Sequence, residues 1–456
     1  MVHCFAMNGT RLVFDGHSQV LHEVDEMAWS ILSNGWNDPG EAVRRLGNRY
    51  PVADITGALA EIEELRAQEL LFAPDPYAEY APAPSQVKGL CLNMAHHCNL
   101  ACRYCFAGAP GTPKKLMEAP VARRAVDFLI SGSGARRHVE IDFFGGEPLL
   151  NFSVIRETVH YARKQAALAG KQVGFTVTTN GLLLGREIRR FLLENEINVV
   201  LSLDGRPEVH DRLRPAPGGK GSHRAVLHGS KQYVADWEAW AGPRGYYYVR
   251  GTFTGNNLDF AEDFRYLAGL GFSNISLEPV VALPCADYAL RKQDLARVHA
   301  EYARLAEIYL DLARENPAIR FFHFELDLDE GPCLPKRLSG CGAGHAYLAV
   351  DAAGAIYPCH QFIGKSEFLL GDVSAGIVRR NLVEGFRHAH VYAKEECVDC
   401  WAKFLCSGGC HAHAYLENGS ILKPSRLACA TMRSRLEAAL FVQASKSGRQ
   451  CGRQEG

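Results

Sequence analysis

The stretch "AHHCNLACRYCFAG" (95–108) carries three cysteines, Cys98, Cys102 and Cys105, at a three-then-two spacing. Four thiolates can close a tetrahedral zinc site. Three thiolates in one loop can instead hold three irons of a [4Fe–4S] cube and leave the fourth iron open to a small chelating ligand. The two histidines before Cys98 are poor candidates for a fourth zinc ligand because they directly adjoin that cysteine. The spacing therefore favours a cluster with one open coordination position.

The composition is that of a folded protein without a strong charge bias. The 456 residues are 47% hydrophobic and 22% charged, with a formal net charge of −1, and this length predicts two or three domains. A near-neutral chain has no electrostatic footprint for nucleic acid or an anionic membrane, and no apolar stretch approaches the roughly 20 residues that span a bilayer. The first residues lack the pattern of a signal peptide. We therefore expect a cytoplasmic protein that binds neither nucleic acid nor membrane.

The 15 cysteines are clustered along the chain. Three lie within 98–105, eight lie within 333–429, and four stand apart. In a large chain without an export signal, clustered cysteines indicate metal binding or redox chemistry more often than disulfides.

Strand-like and helix-like segments alternate between residues 87 and 282. The strand candidates are apolar runs, as expected for strands that helices cover on both faces. They occupy 87–95, 139–145, 173–180, 197–205, 246–254 and 274–281. Six such units predict an α/β fold with a parallel sheet, a (βα)6 partial barrel, whose chemistry lies at the C-terminal strand ends. The cysteine loop follows the first strand and lies at that edge.

The other segments divide the chain into further units. Residues 1–75 contain three short strands and then three helical patterns, which predicts a winged-helix-like domain. The remaining predicted units are a Pro/Ala-rich linker at 76–86, a helical connection at 283–330, a Cys-rich domain at 331–436 and a tail at 437–456. The polar end of that tail, "SKSGRQCGRQEG" (445–456), is expected to be disordered.

The CxxxCxxC loop, with Tyr104 just before its last cysteine, resembles that of the radical S-adenosylmethionine superfamily. The resemblance implies that the open iron binds the amino and carboxylate groups of S-adenosylmethionine, which is then cleaved to a 5'-deoxyadenosyl radical. Further cofactor contacts are expected at the ends of the next strands. They are Tyr104, Gly145, Gly146 and Glu147 of "FFGGEPLLN", Asn180 of "TTNG", Ser202 and Asp204 of "SLDG", and Arg250. Asn180 and Asp204 also suit ordinary turns, since Asn-Gly and Asp-Gly are turn dipeptides.

The cysteines after residue 330 resemble the SPASM extension of peptide-modifying radical enzymes, which carries two auxiliary [4Fe–4S] clusters. The resemblance assigns Cys341, Cys359 and Cys410 to the first cluster, with Cys333 as a candidate fourth ligand. It assigns Cys397, Cys400, Cys406 and Cys429 to the second. Viewed alone, "CVDC" followed by "CSGGC" also suits a zinc knuckle. The two auxiliary clusters of the SPASM resemblance and the cluster of the first loop together imply three [4Fe–4S] clusters in the chain.

Longer strings, including "SLDGRPEVHDRLRP", "GPCLPKRLSGCGAGHAYLAV" and "YPCHQFIG", resemble maturases of the six-cysteines-in-forty-five-residues (SCIFF) peptides. These enzymes link a cysteine sulfur to a carbon of another residue in a ribosomally made precursor. The resemblance implies a Cys-rich precursor whose leader adds to a sheet edge of the N-terminal domain, and an electron donor such as flavodoxin or ferredoxin. Glu278 is a candidate base or substrate-pocket group. The alternatives are formylglycine formation in sulfatases, carbon–carbon cross-linking, or a structural zinc protein that binds peptides.

Overall fold

The computed structural model describes residues 1–34, 38–106, 114–329 and 331–451. The first unit contains the three strands and three helices that the sequence predicts. The strands form an antiparallel sheet in the order β1-β2-β3, and Asp25 and Asp38 cap the first two helices by accepting hydrogen bonds from backbone N–H groups. The elements are β1 (Val2–Met7), β2 (Thr10–Asp15), β3 (Leu21–Glu23), α1 (Glu26–Ser33), α2 (Pro39–Leu46) and α3 (Val52–Ala67).

The central unit alternates strands and helices. Its elements are β4 (Gly89–Ala95), α4 (Ala119–Gly132), β5 (His138–Gly145), α5 (Phe152–Leu168), β6 (Gln172–Thr179), α6 (Arg186–Glu194), β7 (Asn198–Ser202), α7 (Pro207–Leu213), α8 (His223–Ala239), β8 (Tyr247–Phe253), α9 (Phe260–Gly269) and β9 (Asn274–Pro279). All neighbouring strands from β4 to β9 pair in parallel, in sequence order. This arrangement confirms the predicted α/β class and is consistent with a partial barrel.

In the rest of the chain, five short strands extend the same sheet, and helices of different lengths surround them. These elements are α10 (Leu295–Glu315), β10 (Arg320–Phe321), α11 (Leu334–Ser339), β11 (Tyr347–Val350), β12 (Ala355–Tyr357), β13 (Gly371–Asp372), β14 (Gly376–Ile377), α12 (Arg380–Arg387), α13 (Glu395–Val398), α14 (Lys403–Cys406), α15 (His411–Asn418) and α16 (Arg426–Cys451). β11 pairs in parallel with β4, so the sheet reaches eleven strands. The Cys-rich region therefore begins beside the strand that carries the first cysteine loop.

The expected disorder of the C-terminal tail is wrong as far as Cys451, because α16 continues to that residue. Leu436, Leu440 and Val442 on this helix are buried in the main core, and their burial stabilises the helix. The prediction for residues 452–456, like the end of the quoted loop at 107–108, lies outside the described residues.

The main hydrophobic core joins the N-terminal sheet to the rest of the molecule. Phe5 and Phe14 of that sheet belong to the same buried cluster as Trp401, Leu436 and the central strands. In the described part of the chain, no helix has the length and apolar character needed to cross a bilayer.

Candidate active site

The three cysteines of the first loop lie together after β4. Cys98 and Cys102 are partly buried, whereas Cys105 is exposed, and the three thiols interact electrostatically. Burial raises the pKa of Cys98, and it raises that of Cys102 to about 12. Free thiolates are therefore disfavoured here. A metal centre that binds thiolates would compensate for this cost, so the donor set fits an iron–sulfur cluster.

A cavity of about 120 Å³ opens beside this loop at the C-terminal ends of β4 to β8. Most of the sequence-predicted cofactor residues line it. They are Tyr104, Gly145, Gly146, Asn180, Ser202 and Arg250, together with the three cysteines. The structure thus brings residues from five strand ends to one small cavity next to the thiols.

Gly145 and Gly146 are required for close packing, a reason for glycine at these positions that the sequence interpretation missed. A Cβ on Gly146 would lie 2.1 Å from the His97 carbonyl oxygen, and Gly145 has a φ of +126° and faces the Ala95 carbonyl closely. The Gly146 N–H donates to Ala95 O at 2.7 Å. The pair is therefore required first for packing against the cysteine loop, and this packing brings their backbone to the cavity wall.

Glu147 is fully buried behind the cavity. Its carboxylate accepts hydrogen bonds from the Thr179 hydroxyl at 2.8 Å and from the backbone N–H groups of Asn180 at 2.8 Å and Leu149 at 3.1 Å. Burial nevertheless raises the pKa of Glu147 to about 7. The carboxylate thus fixes the end of β6, and with it the Asn180 side chain, whose amide donates to the Cys98 sulfur at 3.5 Å.

Asp204 belongs to a buried polar network with Tyr104 and Arg214. The Tyr104 hydroxyl donates to Asp204 Oδ2 at 2.6 Å and accepts from Arg214 Nη1 at 2.9 Å. Burial raises the pKa of Asp204 despite the Arg214 guanidinium 3.6 Å away. Arg214 also lines the cavity, and its buried Nε has no hydrogen-bond partner among the described residues. Sequence reasoning missed Arg214; the signal was an arginine between Leu213 and Pro215, shortly after the predicted strand at 197–205.

A second cavity, of about 250 Å³, lies between the strand ends and the Cys-rich region. Exposed Arg250 on β8 lines both cavities. Glu278 lines the second cavity, and its oxygens lie 3.2 Å from the His323 ring nitrogen Nε2 and 3.0 Å from the Arg435 guanidinium nitrogen Nη1. Burial alone would raise the pKa of Glu278, but His323 and Arg435 hold it below its ordinary value. Glu278 is therefore an ion-paired wall residue, a state that does not suit a general base.

The later cysteines form two electrostatically linked groups. The thiols of Cys341, Cys359 and Cys410 interact with one another, and those of Cys397, Cys400, Cys406 and Cys429 form a second group. The second group lines a cavity of about 280 Å³, and burial raises the pKa of Cys397 to about 12 and of Cys429 to about 11. Both donor sets fit thiolate-held clusters. Cys333 is exposed at the start of α11.

Within the described ranges, no three His, Cys, Asp or Glu side chains converge closely enough to hold a single metal ion.

Comparisons with known proteins agree with this arrangement. The family described as "4Fe-4S single cluster domain" matches residues 88–228. An uncharacterized protein of Methanocaldococcus jannaschii is 33% identical over 42% of this chain and 62% of its own length. The serine-type anaerobic sulfatase-maturating enzyme of Klebsiella aerogenes is 24% identical over 78% of this chain and 86% of that enzyme.

Two solved enzymes share the fold. The structure of anSMEcpe with bound AdoMet has a TM-score of 0.63 at 20% identity and covers 78% of this chain and 99% of its own. SuiB of Streptococcus suis bound to S-adenosylmethionine has a TM-score of 0.54 at 15% identity. It covers 94% of this chain and 98% of its own. SuiB bound to precursor peptide SuiA has a TM-score of 0.52 at 15% identity. It covers 92% of this chain and 96% of its own. This chain therefore shares the fold of two proteins that were solved with bound S-adenosylmethionine.

Proposed function

We propose that this chain is a radical S-adenosylmethionine maturase that installs intramolecular thioether links in a ribosomally made, Cys-rich precursor peptide. The observation that carries the proposal is the shared wall of two cavities. Arg250 lines the small cavity beside Cys98, Cys102 and Cys105, and it also lines the larger one, which the auxiliary cysteines Cys406, Cys410 and Cys429 reach. A peptide in the larger cavity would meet the radical source on one side and thiol-held clusters on the other.

The small cavity would bind the cofactors. Cys98, Cys102 and Cys105 would hold the first cluster, and Arg250 would pair with the methionine carboxylate of S-adenosylmethionine. When bound, this pair of cofactors supplies one-electron cleavage of the sulfonium and a hydrogen-abstracting radical. Glu147 fixes the strand end that carries Asn180, and the Tyr104–Asp204–Arg214 network fixes the opposite wall.

The larger cavity would hold the precursor. The thiol group that contains Cys341 and the group that contains Cys397 would each hold an auxiliary cluster, so the chain would hold three clusters in total. The electrons would come from a donor such as flavodoxin or ferredoxin. A substrate thiolate next to Cys406 or Cys410 would lie close to these clusters, while the acceptor carbon would face Arg250 and the small cavity. The ion-paired Glu278 would shape this cavity rather than remove a proton.

The leader of the precursor would bind at the free edge of β3. A groove of about 860 Å³ runs beside this edge, between Ser18–Glu23 and residues 326–329. On either side of β3, the Val24 N–H donates to Arg11 O and the Asp15 N–H donates to Val20 O, so residues 20, 22 and 24 bond to β2. Because bonding alternates along an antiparallel strand, the N–H groups of Leu21 and Glu23 face the open edge. They can receive an added strand.

A second candidate function is oxidation of a Cys or Ser to formylglycine. The sequence similarity to anaerobic sulfatase-maturating enzymes over 78% of this chain favours it. The products differ in composition, since a thioether retains the cysteine sulfur and a formylglycine made from cysteine does not.

Mass spectrometry of a precursor separates these functions. A short Cys-rich precursor peptide would be incubated with the anaerobically reconstituted enzyme, S-adenosylmethionine and a reductant. We expect a loss of two hydrogens per link and one fewer alkylatable thiol. Loss of the sulfur would support formylglycine formation, and deoxyadenosine production with an unchanged peptide would refute both reactions on that peptide.

A further inference from the structure

Lys394 is a buried cation at the centre of the Cys-rich region. Its side chain lies just before α13 and is 1% exposed. The ammonium donates to the Gly408 carbonyl oxygen at 2.7 Å and lies 3.5 Å from His411 Nδ1. Within the described part of the chain, no carboxylate lies within ion-pair distance of it.

The hydrogen-bond acceptor of this lysine, the Gly408 carbonyl, lies in the sequence between cysteines of the two thiol groups. Gly408 lies two residues after Cys406 and two before Cys410, which belong to different groups. The ammonium interacts electrostatically with Cys397 and Cys406 of one group and with Cys341 and Cys410 of the other. A single positive charge is therefore placed against both groups.

Two neighbouring cations, Lys403 and Arg435, already have anionic partners. Lys403 pairs with Asp75 at 2.6 Å, and Arg435 pairs with Glu278 at 3.0 Å. A buried ammonium is costly without compensating charge, and one neutral carbonyl does not supply that charge. Thiolate-held clusters with a net negative charge would supply it from two sides.

We propose that Lys394 is the shared counter-cation of the two auxiliary clusters and that it raises the reduction potential of both. The proposal rests on the two auxiliary clusters of the proposed function. Reduction adds a negative charge to a cluster, and a cation buried nearby stabilises the reduced form more strongly than one in water would. The reduction potentials of the two clusters therefore both depend on the charge of this lysine.

The test is a redox titration followed by electron paramagnetic resonance. It uses the full reconstituted chain in the C98A/C102A/C105A background, so that only auxiliary clusters contribute. Lys394→Gln removes the charge but keeps a donor for the Gly408 carbonyl, and Lys394→Arg keeps the charge. Arg426→Gln is the matched control, because exposed Arg426 lines the cavity of the four-cysteine group and is screened by water.

We expect Lys394→Gln to disfavour reduction of both auxiliary clusters by about tenfold, equivalent to about 59 mV for one electron. Lys394→Arg and Arg426→Gln should retain the parent potentials. Loss of iron from Lys394→Gln but not from Lys394→Arg would equally support a required charge.

Unchanged potentials, or a shift of one cluster alone, would overturn the inference while leaving the proposed function intact. A parent protein with only about four irons per chain before the triple substitution would overturn the inference and the auxiliary clusters together.

Discussion

At the scale of single residues, Glu147 makes a pH-dependent contribution to stability. Its pKa is about 7 in the folded chain against an ordinary value of 4.5, because of burial. Between these values the folded state binds more protons than the unfolded state, so the free energy of unfolding falls as pH rises. We expect the metal-free chain to lose about 3 kcal/mol of stability between pH 4.5 and 7 from this group.

Thermal unfolding of the metal-free chain at pH 5 and pH 7 tests this prediction. Glu147→Gln should reduce the difference in stability between the two pH values, whereas Glu140→Gln, at an exposed position on β5, should retain it. An equal pH dependence in the parent and in Glu147→Gln would contradict the assignment.

Arg250 is expected to bind the cofactor carboxylate at the wall between the cavities. Arg250→Ala should weaken S-adenosylmethionine binding to the reconstituted protein by roughly tenfold or more, because a charge-assisted hydrogen bond contributes about 1.5–3 kcal/mol. Equilibrium dialysis measures the affinity. Arg244→Ala is the control, since the exposed Arg244 guanidinium lies over the Trp237 ring. Equal affinities of Arg250→Ala and the parent would refute the contact.

Local patterns predicted many of these residues but not their partners. The spacing of the cysteines is a local property of the sequence, and so are the positions of Asn180 after a strand, Ser202 at the end of one and Arg250 within one. Arg214, Lys394 and the Arg435–His323 pair around Glu278 depend on contacts between distant segments, so their roles emerge only from the folded chain. The sequence also left Glu278 as a candidate base, and its ion pair with Arg435 and its contact with His323 correct this interpretation.

At the scale of elements, the free edge of β3 is the expected leader site. Glu23→Pro removes an outward-facing N–H group while leaving the bonds to β2 in place, since proline is tolerated on edge strands. We expect five- to tenfold weaker binding of a fluorescently labelled precursor, corresponding to roughly one hydrogen bond. Glu23→Ala removes the same side chain and keeps the N–H, so it should bind as the parent does. Equal weakening in both variants would assign the effect to the side chain instead.

The alternating strands and helices from 87 to 282 were predictable because each is a local run of suitable residues. The extension of the sheet was not, because β11 pairs with β4 across more than 250 residues of sequence. The polar residues near the C-terminus predicted disorder, whereas the burial of Leu436, Leu440 and Val442 stabilises α16.

At the scale of the whole molecule, the N-terminal sheet is packed against the four-cysteine group. The His3 ring stacks on Trp401 with centroids 4.1 Å apart, and Trp401 directly follows Cys400. A Cβ on Gly16 would lie 2.3 Å from the Trp401 carbonyl oxygen. The expected leader-binding domain is therefore in contact with the loop that carries Cys397 and Cys400.

This junction can be loosened by one methyl group. Gly16→Ala forces the β2–β3 turn away from Trp401, and overpacking of this kind costs about 1–3 kcal/mol. We expect a lower thermal midpoint for the full chain. Gly57→Ala in α3 adds a methyl group where nothing lies within 4 Å and should retain or raise the midpoint. A midpoint of Gly16→Ala equal to that of the parent would show that the turn does not need this close approach.

On our proposal, three separate thiol groups hold three clusters, one of them with an open position for S-adenosylmethionine. The test is the iron and zinc content per chain, measured after anaerobic reconstitution with iron and sulfide. We predict about twelve irons for the parent and about eight for C98A/C102A/C105A, with the auxiliary clusters retained. A colourless protein that binds zinc, or a triple variant with the same iron content as the parent, would contradict the account.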